Sequence, residues 1–128
     1  MNKKATVLII EDDTPLAMMM VHVLSRAGCD VQVASTGEKG LELAKENRFD
    51  LITSDIDLPG ISGLEICREL KQRHVSYRTP IILFSGNGTE ERRSKAFELG
   101  AADFIEKPFK ASDFIARIHS SLEANVPA

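Results

Sequence analysis

The 128-residue chain predicts an α/β fold, a doubly wound five-stranded parallel sheet carrying five helices. Short apolar runs alternate with segments of helical periodicity five times without a break, which implies strand–helix units with right-handed crossovers and helices on both faces. The runs at Val7–Ile10, Leu51-Ile52 and Pro80–Phe84 are also continuously apolar, as strands buried on both faces are. One domain of this size can bury a single core of its own.

Val7–Ile10 reads as the first strand, followed at once by Glu11, Asp12 and Asp13. Thr14-Pro15 opens a helix, with Thr14 in the N-cap role and proline at the favoured first position. Leu16, Met20, Val23, Leu24 and Ala27 share one helical face, and Gly28 ends it. Val31 and Val33 form a short second strand, and Thr36-Gly37 starts a helix that carries Leu41 and Ala44 inward and runs out near Asn47. The third strand lies in Phe49–Asp55, and Pro59-Gly60 marks a turn beyond it. After Gly63 comes a helix with Ile66, Cys67 and Leu70 on one side. Pro80–Phe84 is a fourth buried strand ending at Ser85-Gly86-Asn87-Gly88, and Thr89 caps a charged helix ending at Leu99-Gly100. Asp103–Ile105 is a short fifth strand ending at Glu106-Lys107-Pro108. Ala111, Phe114, Ile115, Ile118 and Leu122 line the last helix. The reading is one domain over 1–128, with its core at about 5–123 and a loose tail at 124–128.

Composition is that of an ordinary globular chain, 43% apolar and 27% charged. A net charge of −3 gives no reason to expect a nucleic-acid surface, since such domains carry a basic excess. No apolar run approaches membrane-spanning length. Val7–Ile10 is too short for a signal peptide and runs straight into acids. Cys29 and Cys67 lack metal-ligand spacing and read as reduced, structural thiols. The expected location is the cytoplasm, and the three histidines, His22, His74 and His119, show no convergent spacing.

Parallel topology collects the carboxyl ends of all five strands on one edge, where ligands of open α/β sheets bind. Glu11, Asp12, Asp55, Ser85 and Lys107 fall there. Glu11-Asp12-Asp13 alone complements a helix dipole, Lys107 alone is a solvated lysine, and Ser85 alone is a turn residue. Together they crowd three carboxylates, which repel unless a cation sits among them. Hard oxygen ligands suit Mg2+ better than zinc. A hydroxyl, an ammonium and a divalent ion around one carboxylate are what phosphoryl transfer to Asp55 requires.

Four segments then carry a resemblance. Leu8–Asp13, Asp50–Gly63, Pro80–Gly86 and Gly100–Phe109, in this order, resemble the receiver domains of two-component response regulators from Thr6 to about Leu122. The resemblance implies a flavodoxin-like sheet of strand order 2-1-3-4-5. It implies that Asp55 is the phosphoacceptor, served by a sensor histidine kinase or a histidine phosphotransfer protein. Asp12 and Asp55 are expected to bind Mg2+ directly, Glu11 through water, and Asp57 through its backbone carbonyl. Lys107 is expected to contact the acyl phosphate, and its bond to Pro108 to be cis. Ser85 is expected to swing to the phosphoryl oxygen, with Phe104 rotating inward behind it; the plain structural reading of Phe104 is a core aromatic. The domain is then a regulatory switch rather than an enzyme with an outside substrate, acting on an effector protein or domain.

Some positions depart from the family's habit. Asp57 is acidic where Met, Asn or Arg is more usual; with Asn87 it is expected to flank the hydrolytic water's path and set acyl-phosphate lifetime, the plain alternative being a solvated aspartate. Ala101-Ala102-Asp103 lacks the first aspartate that receivers dimerising through their fourth and fifth helices use, which weakens that DNA-binding output. Met18 and Val21, opposite Leu16 and Val23, read as a helix-docking surface or as chance exposure. Arg92, Arg93 and Lys95, with Glu90 and Glu91, read as a solvated helix face. Two rivals remain. Asp55-Ile56-Asp57 also resembles the nucleophile motif of haloacid dehalogenase-type phosphatases, with Asp57 as general acid, and a pseudo-receiver would bind partners without phosphorylation.

Overall fold

The computed structural model describes residues 4–72 and 78–124. Its elements run β1 (Thr6–Ile10), α1 (Thr14–Arg26), β2 (Asp30–Ala34), α2 (Gly37–Glu46), β3 (Leu51–Asp55), α3 (Gly63–Gln72), β4 (Ile81–Ser85), α4 (Glu90–Glu98), β5 (Asp103–Glu106) and α5 (Ala111–Ala124). The five strands are all parallel in the order β2-β1-β3-β4-β5, as expected. The tail expected at 124–128 lies outside the described residues, except that Ala124 closes α5; His74 lies outside them too.

Alternation along the strands divides the core between the two faces of the sheet. Leu8, Ile10, Ile52, Leu83 and Phe104 face α2, α3 and α4, meeting Ala44, Ile66, Cys67, Leu70 and Ala96. Val7, Ile9, Leu51, Ile82, Phe84 and Ile105 face α1 and α5, meeting Met20, Leu24, Phe114 and Ile118. Every residue of β3 and β4 is buried. Leu51, Ile52, Ile81 and Ile82 thus each contribute roughly 1.5–3 kcal/mol of apolar burial. β2, at the edge, leaves Val33 exposed.

The helix starts show where local chemistry differs from the expectation. α1 is capped by Asp13, whose Oδ1 accepts from the Leu16 N–H at 3.2 Å. Thr14 is already the first helical residue, so the third acid of the triplet, rather than the threonine, satisfies the free backbone donor. Thr89 caps α4 as expected, and Thr36 caps α2 where a helix start was expected, each accepting from an N–H three residues on. On α1, Ala17 joins Met20 and Leu24 in the fully buried stripe, while Ala27, expected there, is the exposed C-cap. Ala111 likewise stands exposed at the start of α5. Among the described residues, no helix is long and apolar enough to cross a membrane.

Candidate functional site

The register sets the site. Glu11 follows β1 directly, and its N–H donates to the Ala34 carbonyl at 3.0 Å, so it stays in line with the sheet. Asp55 ends β3 opposite Phe84, and Ser85 ends β4 opposite Glu106. The Lys107 N–H donates to the Ser85 carbonyl at 2.9 Å. Below Asp55, Gly63 begins α3 so close that a Cβ there would sit 2.3 Å from the Asp55 carbonyl oxygen. Glycine is the residue that permits this approach. Beyond Lys107 the peptide to Pro108 is cis, and the Phe109 ring packs on Phe84 and Phe114 at 5.2 and 5.6 Å between centroids.

These constraints converge three side chains. Lys107 Nζ donates to Asp55 Oδ2 at 3.0 Å and to Glu11 Oε1 at 3.1 Å. The other Asp55 oxygen accepts from the Asp57 N–H at 3.2 Å, and Glu11 Oε2 accepts from the Asp13 N–H at 3.1 Å. Glu11 is only 2% exposed and Asp55 6%. Burial pushes the Glu11 carboxyl above its ordinary range, against the Asp13 N–H and the Lys107 charge, and the Asp55 charge adds to the rise. Burial alone would lower Lys107, but its hydrogen bond to Asp55 and the charges of Asp55 and Glu11 outweigh that and raise it. The ammonium is fixed in its charged form.

Glu11, Asp12 and Asp55 each present a carboxylate oxygen, all within 4.8 Å of one another. Two of the three groups are buried and share one ammonium, so the cluster remains short of positive charge. An all-oxygen donor set around unmet negative charge fits a hard divalent ion such as Mg2+.

One participant escaped the sequence reading. Arg92, expected on a solvated face, turns toward the site. Its guanidinium donates to Asp57 Oδ1 at 2.6 Å and Oδ2 at 3.2 Å, to Ser85 Oγ at 2.8 Å and to the Asn87 carbonyl at 3.4 Å. Ser85 Oγ also accepts from the Asn87 N–H at 3.1 Å. Asp57 is exposed, as the plain reading had it, but paired; the hydrogen bond from Arg92 holds its carboxyl below the usual range. A signal was present, since Arg92 lies one turn before Ala96, the buried residue of α4, and positions i and i+4 share a helix face.

Two further expectations change. Phe104 does not stand outward awaiting rotation: it is 1% exposed and packed in the cluster with Leu83, Ala96 and Ala101. The small side chains at 96 and 101 leave room for its ring. On α1, Met18 is 67% exposed, but Val21 is half-buried against the α1–α5 core, so the outward apolar surface is narrower than expected. Arg93 and Lys95 are exposed as expected.

A five-stranded parallel sheet in this order, with an acidic cluster at its carboxyl edge, is the arrangement of the receiver domains of two-component signalling. The chain belongs to that family, since the response regulator receiver domain model matches residues 7–119. It is 38% identical over 114 residues to the cell cycle transcriptional regulator CtrA of Caulobacter vibrioides, covering 89% of this chain and 48% of CtrA. The chain thus spans about half the length of that relative. A response-regulator structure from Chloroflexus aurantiacus superposes with a TM-score of 0.89 at 33% identity, covering 94% of this chain and 99% of the other. A CheY-like receiver domain from Methanospirillum hungatei gives 0.90 at 25%, covering 96% and 97%.

Proposed function

We propose that this chain is a phosphorylation-dependent switch whose acceptor is Asp55, charged by a phosphohistidine on a sensor kinase or a histidine phosphotransfer protein. The observation that carries the reading is the contact of Lys107 with both Asp55 and Glu11. An Asp55 oxygen attacks phosphorus, the P–N bond breaks as the P–O bond forms, and the imidazole leaves with a proton. Lys107 holds the aspartate in place and then meets the charge on the transferred oxygens. The Ser85 hydroxyl donates to one of those oxygens once the group is in place. Glu11, Asp12 and Asp55, with the Asp57 carbonyl, would hold Mg2+, which would supply charge neutralisation for the transferring group.

Asp57 and Asn87 flank the approach of the hydrolytic water and set the lifetime of the acyl phosphate. Phe104 forms the wall behind Ser85. Residues 1–128 act as one domain in the cytoplasm. Phosphorylation changes affinity for an effector protein or domain, with no direct contact to nucleic acid or membrane by this chain. Met18, the exposed apolar residue of α1, belongs to the surface that meets the phosphodonor. The phosphatase alternative fares poorly, because a general acid must hold a proton near neutral pH and Arg92 keeps Asp57 ionised.

The test is labelling of the purified chain with a small acyl-phosphate donor and Mg2+, read by intact mass and peptide mapping. Stoichiometric label on Asp55, lost in Asp55→Asn and without divalent ion, is expected. Steady turnover of a phosphate ester with no retained label would overturn it.

A further inference from the structure

The acceptor chemistry above makes no use of the Arg92 guanidinium, yet it ties three segments together. It spans Asp57 after β3, Ser85 and Asn87 after β4, and the first turn of α4. The bond to Asp57 is a two-point fork, the geometry in which arginine binds carboxylates and phosphates most strongly. α4 is otherwise lightly anchored, with Ala96 as its one fully buried residue among those described. A charged link at its first turn is therefore one of the contacts that fix that end of the helix.

We propose that Arg92 is the positioning residue that couples Asp55 to α4: it clamps Ser85 and Asp57 at rest, and a phosphoryl group on Asp55 competes with Asp57 for it and moves the first turn of the helix. The inference rests on Asp55 being the acceptor. Three facts favour this route. Asp57 already touches the acceptor, its N–H on Asp55 Oδ1 at 3.2 Å, so a single residue joins the guanidinium to the acceptor. A phosphoryl group bears close to two negative charges and three acceptor oxygens, against one charge and two oxygens on Asp57. The Phe104 ring is already 1% exposed, so the Arg92–Asp57 fork, and not further burial of that ring, is the contact free to change.

A purely structural ion pair and a coupling residue differ in one measurable ratio. Amide hydrogen exchange over residues 89–98 of the full chain is read with and without the acyl-phosphate donor and Mg2+, at matched Asp55 occupancy determined by mass. In the parent, phosphorylation is expected to change exchange there by about fivefold, the low end of ordinary site-to-site coupling. In Arg92→Ala that ratio collapses toward one, and Arg92→Lys, with charge but no fork, lies between. If Arg92→Ala raises exchange equally in both states and keeps the parental ratio, Arg92 is structural and the proposal falls. Should Arg92→Ala not fold, Arg92→Gln carries the same comparison: a collapsed ratio supports the coupling and a parental one removes it. A parent chain that takes no label at Asp55 overturns the acceptor reading itself, and the coupling with it.

Discussion

Replacing Lys107 with methionine keeps the length of the stem and deletes the charge that Glu11 and Asp55 share. Its Nζ lies 3.0 Å from Asp55 Oδ2 and 3.1 Å from Glu11 Oε1, with both carboxylates buried. At an effective dielectric of about 20, each contact is worth roughly 5 kcal/mol of attraction before desolvation. Removing one partner of a buried pair costs about 3–5 kcal/mol net, because a charge is left without compensation. Glu11, already shifted upward by burial, takes a proton rather than remain charged, which holds the loss near the lower figure, about 3 kcal/mol. Urea unfolding at neutral pH in a chelator measures this. With Mg2+ added, the gap to the parent narrows, because the ion restores positive charge. Adding Glu11→Gln to Lys107→Met recovers about half the loss, since the free-energy cost of Glu11 taking up a proton at neutral pH is no longer incurred. A Lys107→Met protein within about 0.5 kcal/mol of the parent in chelator would refute the reasoning, since that is the range of an inconsequential surface change.

Other perturbations draw on the same geometry. Gly63→Ala forces its Cβ against the Asp55 carbonyl, 2.3 Å away; it is expected to cost about 1–3 kcal/mol and to slow Asp55 labelling, and a neutral variant that labels normally contradicts the packing. Asp57→Met removes a carboxylate that can take the hydrolytic water's proton, so acyl-phosphate decay at Asp55 slows severalfold. Asn87→Ala has the smaller effect, because Asn87 meets Ser85 and Arg92 through its backbone; unchanged decay in both variants ends the lifetime role. Burial pushes the Cys67 thiol from 9.0 up to about 11. The unfolded chain therefore loses this proton near pH 9 while the folded one keeps it to about pH 11. Its contribution is complete below the lower value and is lost as pH rises through the upper one, a total of about 2–3 kcal/mol. The difference in unfolding free energy between the parent and Cys67→Ala should shrink by this amount as pH rises across that window; parallel curves would contradict it.

The sheet was legible because continuous apolar runs such as Val7–Ile10 leave little choice: buried on both faces, they must be central parallel strands. The edge residues came with it, since Glu11, Asp55, Ser85 and Lys107 each stand directly at or after a strand end. Finer features depended on competition between neighbours that no pattern ranks. Asp13 and Thr14 are both good caps, and one residue of helix phase decided between them. Phe104 fits core and switch readings alike from sequence, and the small residues Ala96 and Ala101 made the difference. Arg92 was missed because it stands among five charges on a polar helix, where exposure is the ordinary outcome; its spacing to Ala96 was the better guide.

Placing Arg92 also answers what a fourth carboxylate beside the acceptor does. The charges fall into two groups. In the outer one, Asp57 and Arg92 pair through both carboxylate oxygens, so Asp57 adds little net negative charge to the region it borders. In the inner one, Glu11, Asp12 and Asp55 lie within 4.8 Å of one another, with Lys107 as the ammonium bonded to Glu11 and Asp55. In their charged forms, three carboxylates against one ammonium leave two negative charges, the charge a divalent cation neutralises. Mg2+ affinity should therefore respond strongly to Asp12→Asn and weakly to Asp57→Asn, even though the Asp57 carbonyl is proposed as a ligand of the same ion. Magnesium titrations of the two variants, followed by the gain in unfolding free energy, separate the cases. Equal losses would mean that the Asp57 charge reaches the ion despite Arg92, and that the two groups are one.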